Sequence, residues 1–179
     1  MSNRFEYAGL VIEILTDEFG ENPRDKYEHV ATLALFSRRY RLGDSDHDIA
    51  ANQFSGWQEM GDWLKQCALG VTPVYLLDHS GLALNTEDFN DPWDSGQVGF
   101  GYVDPEALHA AGLTADQARD VVEAEVTEYH LYLSGQVYGY RITDPQTSTE
   151  IDSCWGLYGY EYAYQCAIDS ARPYQTQAS

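Results

Sequence analysis

Three short stretches of the sequence combine the residue types that nucleophilic catalysis needs. In chain order they read "DHSG" (78–81), "WDSG" (93–96) and "DSCWG" (152–156). A nucleophile needs a base within hydrogen-bond reach and a third group that orients the base. His79 would be the base, and Ser95 or Cys154 the nucleophile. The chemistry would be that of a small hydrolase or nucleotide-handling enzyme, with the orienting carboxylate supplied by Asp78, Asp94 or Asp152.

The same residue types also build tight turns, because Asp and Ser bond their own backbone and Gly allows positive φ. The G-x-S-x-G signature of a nucleophile elbow is absent from the sequence. We therefore interpret "DPWDSGQVGFGYV" as a structural corner that leads into a central strand. Trp93 is expected to be buried over the entry to this strand. Gly99 and Gly101 leave one strand face bare, so another element can approach it closely.

A calcium loop is the other site that the sequence partly matches. "DSDHD", at Asp44–Asp48, has the D-x-D-x-D start of an EF-hand loop. Ile49 stands where the loop needs Gly, and Ser55 stands where it needs Glu. We interpret the stretch as a solvated acidic loop and predict no metal site and no cofactor.

Charge is the strongest signal in the composition. The chain of 179 residues has 29 Asp and Glu against 10 Lys and Arg, a formal charge of −19. Such a chain repels nucleic acid and anionic lipid, since both are bound through Lys and Arg. It attracts basic surfaces, including the nucleic-acid grooves of other proteins. Solubility or adaptation to high salt would also explain the acidity.

Two sets of carboxylates are candidates for partner binding. Asp116, Asp120 and Glu123 fall on one face of a helix predicted between Thr114 and Gly135. The opposite face carries an apolar stripe that includes Val122, Val126 and Tyr129, which we expect to point inward. The second set is the acidic loop, with Asp44, Asp46 and Asp48.

The cysteines and the first residues of the chain bear on its compartment. Cys67, Cys154 and Cys166 form no CxxC pair and no regular spacing, so neither a disulfide framework nor a cysteine zinc site is expected. The opening "MSNRFEYAGLVIEILTDEF" has a short apolar run broken by Glu13. It resembles neither a signal peptide nor a membrane span, so we expect a cytoplasmic protein without membrane partners.

Hydrophobic periodicity predicts a strand-rich chain with inserted helices. The predicted strands are Phe5–Leu15, Tyr27–Tyr40, Val71–Asp78, Leu82–Thr86, Gln97–Val103 and two more around "DPQTS". The predicted helices are Ser55–Leu69, a short one at "DPEALHAAG", Thr114–Gly135 and a last one that stops before Pro173. The order lacks a βαβ rhythm, which favours an α+β fold. We predict a mostly antiparallel sheet with several helices packed on it, in a single domain over residues 1–179.

Four stretches carry a resemblance to a known group of proteins: "YLLDHSG", "PWDSGQVGFGYV", "EVTEYHLYLSGQVYGY" and "DSCWGLYG". In these motifs, which span roughly the last three fifths of the sequence, the chain resembles a family of small proteins encoded by phages and other mobile elements. The resemblance implies a setting in which small acidic proteins block host defence systems. It transfers no catalytic role to any residue.

Two functions follow as hypotheses. The first is an inhibitor that occupies the nucleic-acid groove of a host defence complex, such as a CRISPR effector or a restriction enzyme, by mimicking nucleic acid. Its partner would be a host protein with a basic surface, and it would bind no nucleic acid itself. The second is the enzyme with His79, Asp94, Ser95 and Cys154. An enzyme should gather those residues in a cleft, whereas an inhibitor should show contiguous acidic surface.

Overall fold

Eight strands form two antiparallel four-stranded sheets in the part of the chain that the computed structural model describes, residues 3–177. The strands are β1 (Arg4–Tyr7), β2 (Leu10–Thr16), β3 (Ala31–Leu35), β4 (Leu69–Asp78), β5 (Leu82–Asn85), β6 (Ser95–Val103), β7 (Val137–Thr143) and β8 (Glu150–Tyr158). The helices are α1 (Pro23–Lys26), α2 (Trp57–Cys67), α3 (Pro105–Ala110), α4 (Ala118–Leu133) and α5 (Tyr160–Ala171). The α+β class is confirmed, and every strand pair is antiparallel.

The chain divides into two compact units, one from Asn22 to Ser134 and one from the segments on either side of it. Each unit contains one sheet, in the order β3-β6-β4-β5 for the internal unit and β1-β2-β7-β8 for the other. The predicted sheet is thus two sheets. The assignment of residues 1–179 to a single domain stays a prediction.

The unit that contains both ends of the chain is held together by α5. Ala163, Ala167 and Ala171 recur every four residues on this helix, so their small side chains lie on one face. That face is fully buried against the sheet, where Ile12 and Ile142 are also inaccessible to solvent. Small helix residues against β-branched strand residues bring the helix close to the sheet and fill the core.

The first predicted strand, Phe5–Leu15, is in fact a hairpin. Ala8 and Gly9 have φ of 54° and 78°, the left-handed pair that a two-residue hairpin turn needs. Alanine is uncommon in this region, so the pattern gave no turn signal. The second predicted strand, Tyr27–Tyr40, is shorter than expected as well, since only Ala31–Leu35 pairs with β6.

The internal unit packs α4 on its sheet. Val122, Val126 and Tyr129 are buried, as the apolar stripe predicts. Gly101 is confirmed as a point of close approach, since a Cβ atom there would overlap the side chain of Val122. Gly99 lies against the backbone of β3, where a Cβ atom would overlap the carbonyl oxygen of Ala34. Gly99 thus allows the close pairing of β6 with β3, and Gly101 allows the close approach of α4 to the sheet.

Within residues 3–177, none of the helices combines the length and the apolar composition that crossing a bilayer requires.

Candidate functional site

The "DHSG" and "WDSG" corners lie side by side at one end of the internal sheet. The Asp78 N–H donates to the carbonyl of Asp94 at 2.8 Å, which ties the β4–β5 turn to the loop before β6. His79 Nδ1 lies 2.7 Å from Asp94 Oδ2. The pair is solvent-exposed, with 67% of the His79 side chain accessible. The structure therefore joins the predicted base to one predicted orienting carboxylate.

The hydrogen bond from His79 to Asp94 raises the pKa of His79, and the negative charges of Asp94 and Asp91 add to this. We expect Asp94→Asn to bring the pKa back towards the ordinary 6.5, measured by NMR titration of the His79 ring. Since the folded-state pKa is the higher one, the pair stabilises the fold below the unfolded pKa. The contribution is lost as the pH rises through the raised pKa. An unchanged titration in the variant would show that Asp94 does not hold the imidazolium.

The predicted nucleophiles are not paired with this base. Ser95 Oγ donates to the carbonyl of Asp91 at 2.6 Å, which is the role of a turn residue. Cys154 belongs to the other unit, where it lies in β8 opposite Tyr140. Among the described residues, His79 makes no hydrogen bond to Ser95 or to a cysteine. The geometry gives no support to a catalytic set of these four residues.

The other two candidate orienting carboxylates are also used within the fold. Asp78 Oδ2 accepts from Arg39 Nη1 at 2.6 Å and from the Tyr40 hydroxyl at 2.9 Å. Asp152 accepts hydrogen bonds from the Ser170 and Tyr140 hydroxyls. The bond from Ser170 is the largest cause of the lowered pKa of Asp152, which stays ionised as an acceptor. Both carboxylates tie strands to neighbouring segments of their own unit.

The expectation that Trp93 is buried is wrong, because the side chain is 91% exposed. Its backbone is held by the Asp91 carboxylate, which accepts from the N–H groups of Trp93 and Asp94. These bonds lower the pKa of Asp91. The loop is thus a turn that the Asp91 carboxylate stabilises, without packing of the Trp93 ring against it.

Trp93→Ala is consequently expected to change the free energy of unfolding by less than about 0.5 kcal/mol, as for other exposed positions. Urea denaturation would measure this, with Trp57→Ala as the matched control. Trp57 packs against Phe36 and Phe100, so its loss should cost about 3 kcal/mol. If Trp93→Ala lowered the free energy of unfolding as much as Trp57→Ala does, the exposed position of Trp93 would be contradicted.

Asp44 is not the solvated residue that the acidic loop predicts. Its carboxylate pairs with Arg24, whose Nη2 lies 2.6 Å from Asp44 Oδ2, and it accepts the Leu33 N–H at 2.7 Å. The Arg24 side chain also reaches Glu125, with 2.7 Å between Nη1 and Oε2, and this side chain is 2% exposed. Burial alone would lower the pKa of Arg24, but hydrogen bonds to Asp44 and Glu125 leave it raised. Asp44 therefore organises the fold and is not available to a partner.

The predicted acidic face of α4 is only partly present. Asp116 lies in the short 3-10 turn before the helix, and both it and Asp120 are exposed. Glu123 is bound by Arg119, with 2.7 Å between Nε and Oε1. One of the three charges is thus offset by a cation on the same helix face, so this face is less acidic than the sequence indicates.

Three further carboxylates belong to the lining of a cavity of about 350 Å³ between α2, the acidic loop and the end of β6. We call this the acidic cavity and define it by Asp46, Asp48, Asp104, Trp63 and Tyr102. Among the described residues that line it, none is Lys or Arg. Burial raises the pKa of Tyr102, so its hydroxyl remains neutral. The acidic cavity is a negatively charged depression with two aromatic walls.

A second cavity, of about 440 Å³, adjoins the first and shares Thr32 and Asp46 with it. Its lining includes exposed Glu28 together with Asp44 and Arg24, which neutralise each other. The negative surface of the internal unit therefore continues from the acidic cavity past Asp46 to Glu28.

Sequence reasoning found Asp46 and Asp48 but missed Asp104, Trp63 and Tyr102. Asp104 reads as a helix cap, and it does cap α3 by accepting the Glu106 N–H at 2.7 Å. Trp63 is 45% exposed although it lies on a helix that packs on the sheet. No local pattern shows that these residues meet, because they come from separate elements.

No protein-family model, no curated protein and no solved structure matches the chain.

Proposed function

We propose that this protein is a binding protein whose acidic cavity and adjoining rim engage a basic, nucleic-acid-binding surface of a partner. The observation that carries the proposal is that Asp46, Asp48 and Asp104 all line one depression whose described lining has no Lys or Arg. Carboxylates arranged in this way attract cationic surfaces, speed their association and exclude anionic ones.

The resemblance to phage and mobile-element proteins gives the setting for this proposal. The partner is a host defence component such as a CRISPR effector or a restriction enzyme, in the host cytoplasm. The protein inhibits it by occupying the groove that binds nucleic acid. The alternative enzyme has less support: His79 is joined to the orienting carboxylate of Asp94, but the Ser95 hydroxyl is bonded to a turn carbonyl and not to this base.

The test compares three neutralised variants of equal charge change in binding to a short arginine-rich peptide. Asp46, Asp48 and Asp104 are changed to Asn in the cavity variant, which keeps a good helix cap at position 104. Asp116→Asn, Asp120→Asn and Glu123→Gln form the α4 variant. The control variant changes exposed carboxylates of the other unit, namely Glu6, Glu18 and Glu161, to Gln.

We expect the cavity variant to associate with the peptide about tenfold more slowly than the parent at low salt, because steering depends on local charge. The control variant should stay close to the parent, and added salt should slow the parent towards the rate of the cavity variant. Stopped-flow or biosensor measurements give these rates. Equal slowing in all three variants would mean that only net charge matters, as in a solubility adaptation.

A further inference from the structure

The acidic cavity has a size and a lining that select its guest. Its volume of about 350 Å³ lies at the small end of ligand sites. Trp63 supplies a partly exposed aromatic face at the rim, and Tyr102 supplies a second aromatic wall. The two aromatic walls suit a group with a flat face, and the carboxylates in the lining disfavour the phosphate of a nucleotide.

The charges in the acidic cavity call for a cation. In the described part of the chain, the carboxylates of Asp46 and Asp48 have no hydrogen-bond or ion-pair partner, and the Asp104 carboxylate accepts only the Glu106 N–H. Three residues whose carboxylates have spare acceptor capacity therefore belong to the lining of one cavity. A bound N–H cation would use this capacity in charge-assisted hydrogen bonds.

The arrangement fits an organic cation better than a metal ion. Within residues 3–177, no three His, Cys, Asp or Glu side chains come close enough to hold a metal together. A guanidinium group, in contrast, is planar, stacks on aromatic rings and donates N–H groups in several directions. These properties match a lining that contains both carboxylates and an indole ring.

We propose that the acidic cavity binds the guanidinium group of an arginine side chain that the partner presents. This inference rests on the proposed function, because it names the group on the partner's basic surface that anchors the complex. His47 is consistent with it. His47 lines the acidic cavity, and its Nδ1 atom is buried without a hydrogen-bond partner in the described residues.

The first experiment uses the full chain and N-acetyl-arginine methylamide as the probe, with the lysine counterpart as a comparison. Binding is followed by NMR at the Trp63 indole N–H. We expect saturable shifts for the arginine probe with a Kd of about 1 mM, a value in keeping with a single anchored group. The lysine probe should bind more weakly, since an ammonium neither stacks as a plane nor forms a fork.

The cavity variant, with Asn at positions 46, 48 and 104, should bind the arginine probe about tenfold more weakly. The control variant with Gln at positions 6, 18 and 161 has lost the same charge and should bind like the parent. Equal binding in both variants, or shifts spread over the whole surface, would overturn the assignment of the acidic cavity as the site.

A second measurement needs no substitution. Cys67 is exposed and lines the acidic cavity, whereas Cys154 and Cys166 do not. Saturating arginine probe should slow alkylation of Cys67 by iodoacetamide and leave the other two cysteines unchanged, as peptide mass mapping would show. If neither NMR nor alkylation responds but the arginine-rich peptide still binds through Asp46, Asp48 and Asp104, the guanidinium site is wrong and the proposed function stands. If the peptide does not bind either, both are wrong.

Discussion

Arg24→Ala is expected to lower the free energy of unfolding by about 3–5 kcal/mol, the cost of breaking a buried ion pair from one side. Arg24 is 2% exposed and donates to Asp44, Glu125 and the Ala31 carbonyl. Its removal leaves two carboxylates in a partly buried position without their cation. Both carboxylates also accept backbone N–H groups in or next to β3. The substitution should therefore also destabilise this edge strand of the internal sheet.

The matched control for this prediction is Arg38→Ala, which removes the same charge from an exposed position. It should shift the free energy of unfolding by less than about 0.5 kcal/mol. Urea or thermal denaturation followed by circular dichroism gives both values. A loss below about 1 kcal/mol for Arg24→Ala, in the range of a surface pair, would mean that the network is solvated and that Asp44 is available to a partner after all.

Gly99→Ala is expected to cost about 3 kcal/mol, at the upper end of the range for overpacking. The added Cβ atom would overlap the Ala34 carbonyl oxygen, which belongs to the backbone of β3 and cannot rotate away as a side chain can. The overlap can be removed only if β3 and β6 move apart, and this breaks the pairing of Leu35 with Gly99.

Gly96→Ala provides the control on the same strand, since nothing lies within 4 Å of a Cβ atom at that position. It should be neutral, or slightly stabilising because alanine restricts the unfolded chain. Denaturation curves of the two variants would be compared under the same conditions. If the two alanine variants have the same stability, β3 does not approach β6 as closely as described.

Patterns local to one element predicted the structure well. The stripe on α4 identifies Val122, Val126 and Tyr129 as buried, because helical periodicity alone decides which residues share a face. The "HSG" turn pairs Asp78 with Leu82 as the hairpin signal indicates. Asp and Ser in the "WDSG" corner hold their own loop, since turn residues bond to near neighbours.

Contacts between residues that are far apart along the chain could not be predicted. The expected burial of Trp93 required a second element to cover the ring, and the side chain is exposed instead. Asp44 looked solvated because its cation, Arg24, lies in a separate segment of the chain. The acidic cavity needs Asp104 to meet the acidic loop and α2, and only the packing of the sheet brings them together.

In the function that we propose, the acidic cavity and its rim engage a nucleic-acid-binding surface of a partner. Site-specific photo-crosslinking in cells that express the protein tests it most directly. The crosslinker replaces Gln66, an exposed residue of α2 next to Cys67, or Gln165, an exposed residue of α5 that serves as the control. Neither change alters the charge of the protein.

We expect a crosslink from position 66 to a protein that binds nucleic acid, and no such crosslink from position 165. Excess nucleic acid added to the lysate before irradiation should suppress the adduct, because it competes for the same basic groove. Equal adducts from both positions, no adduct from position 66, or an adduct from position 66 that persists in excess nucleic acid would contradict the account.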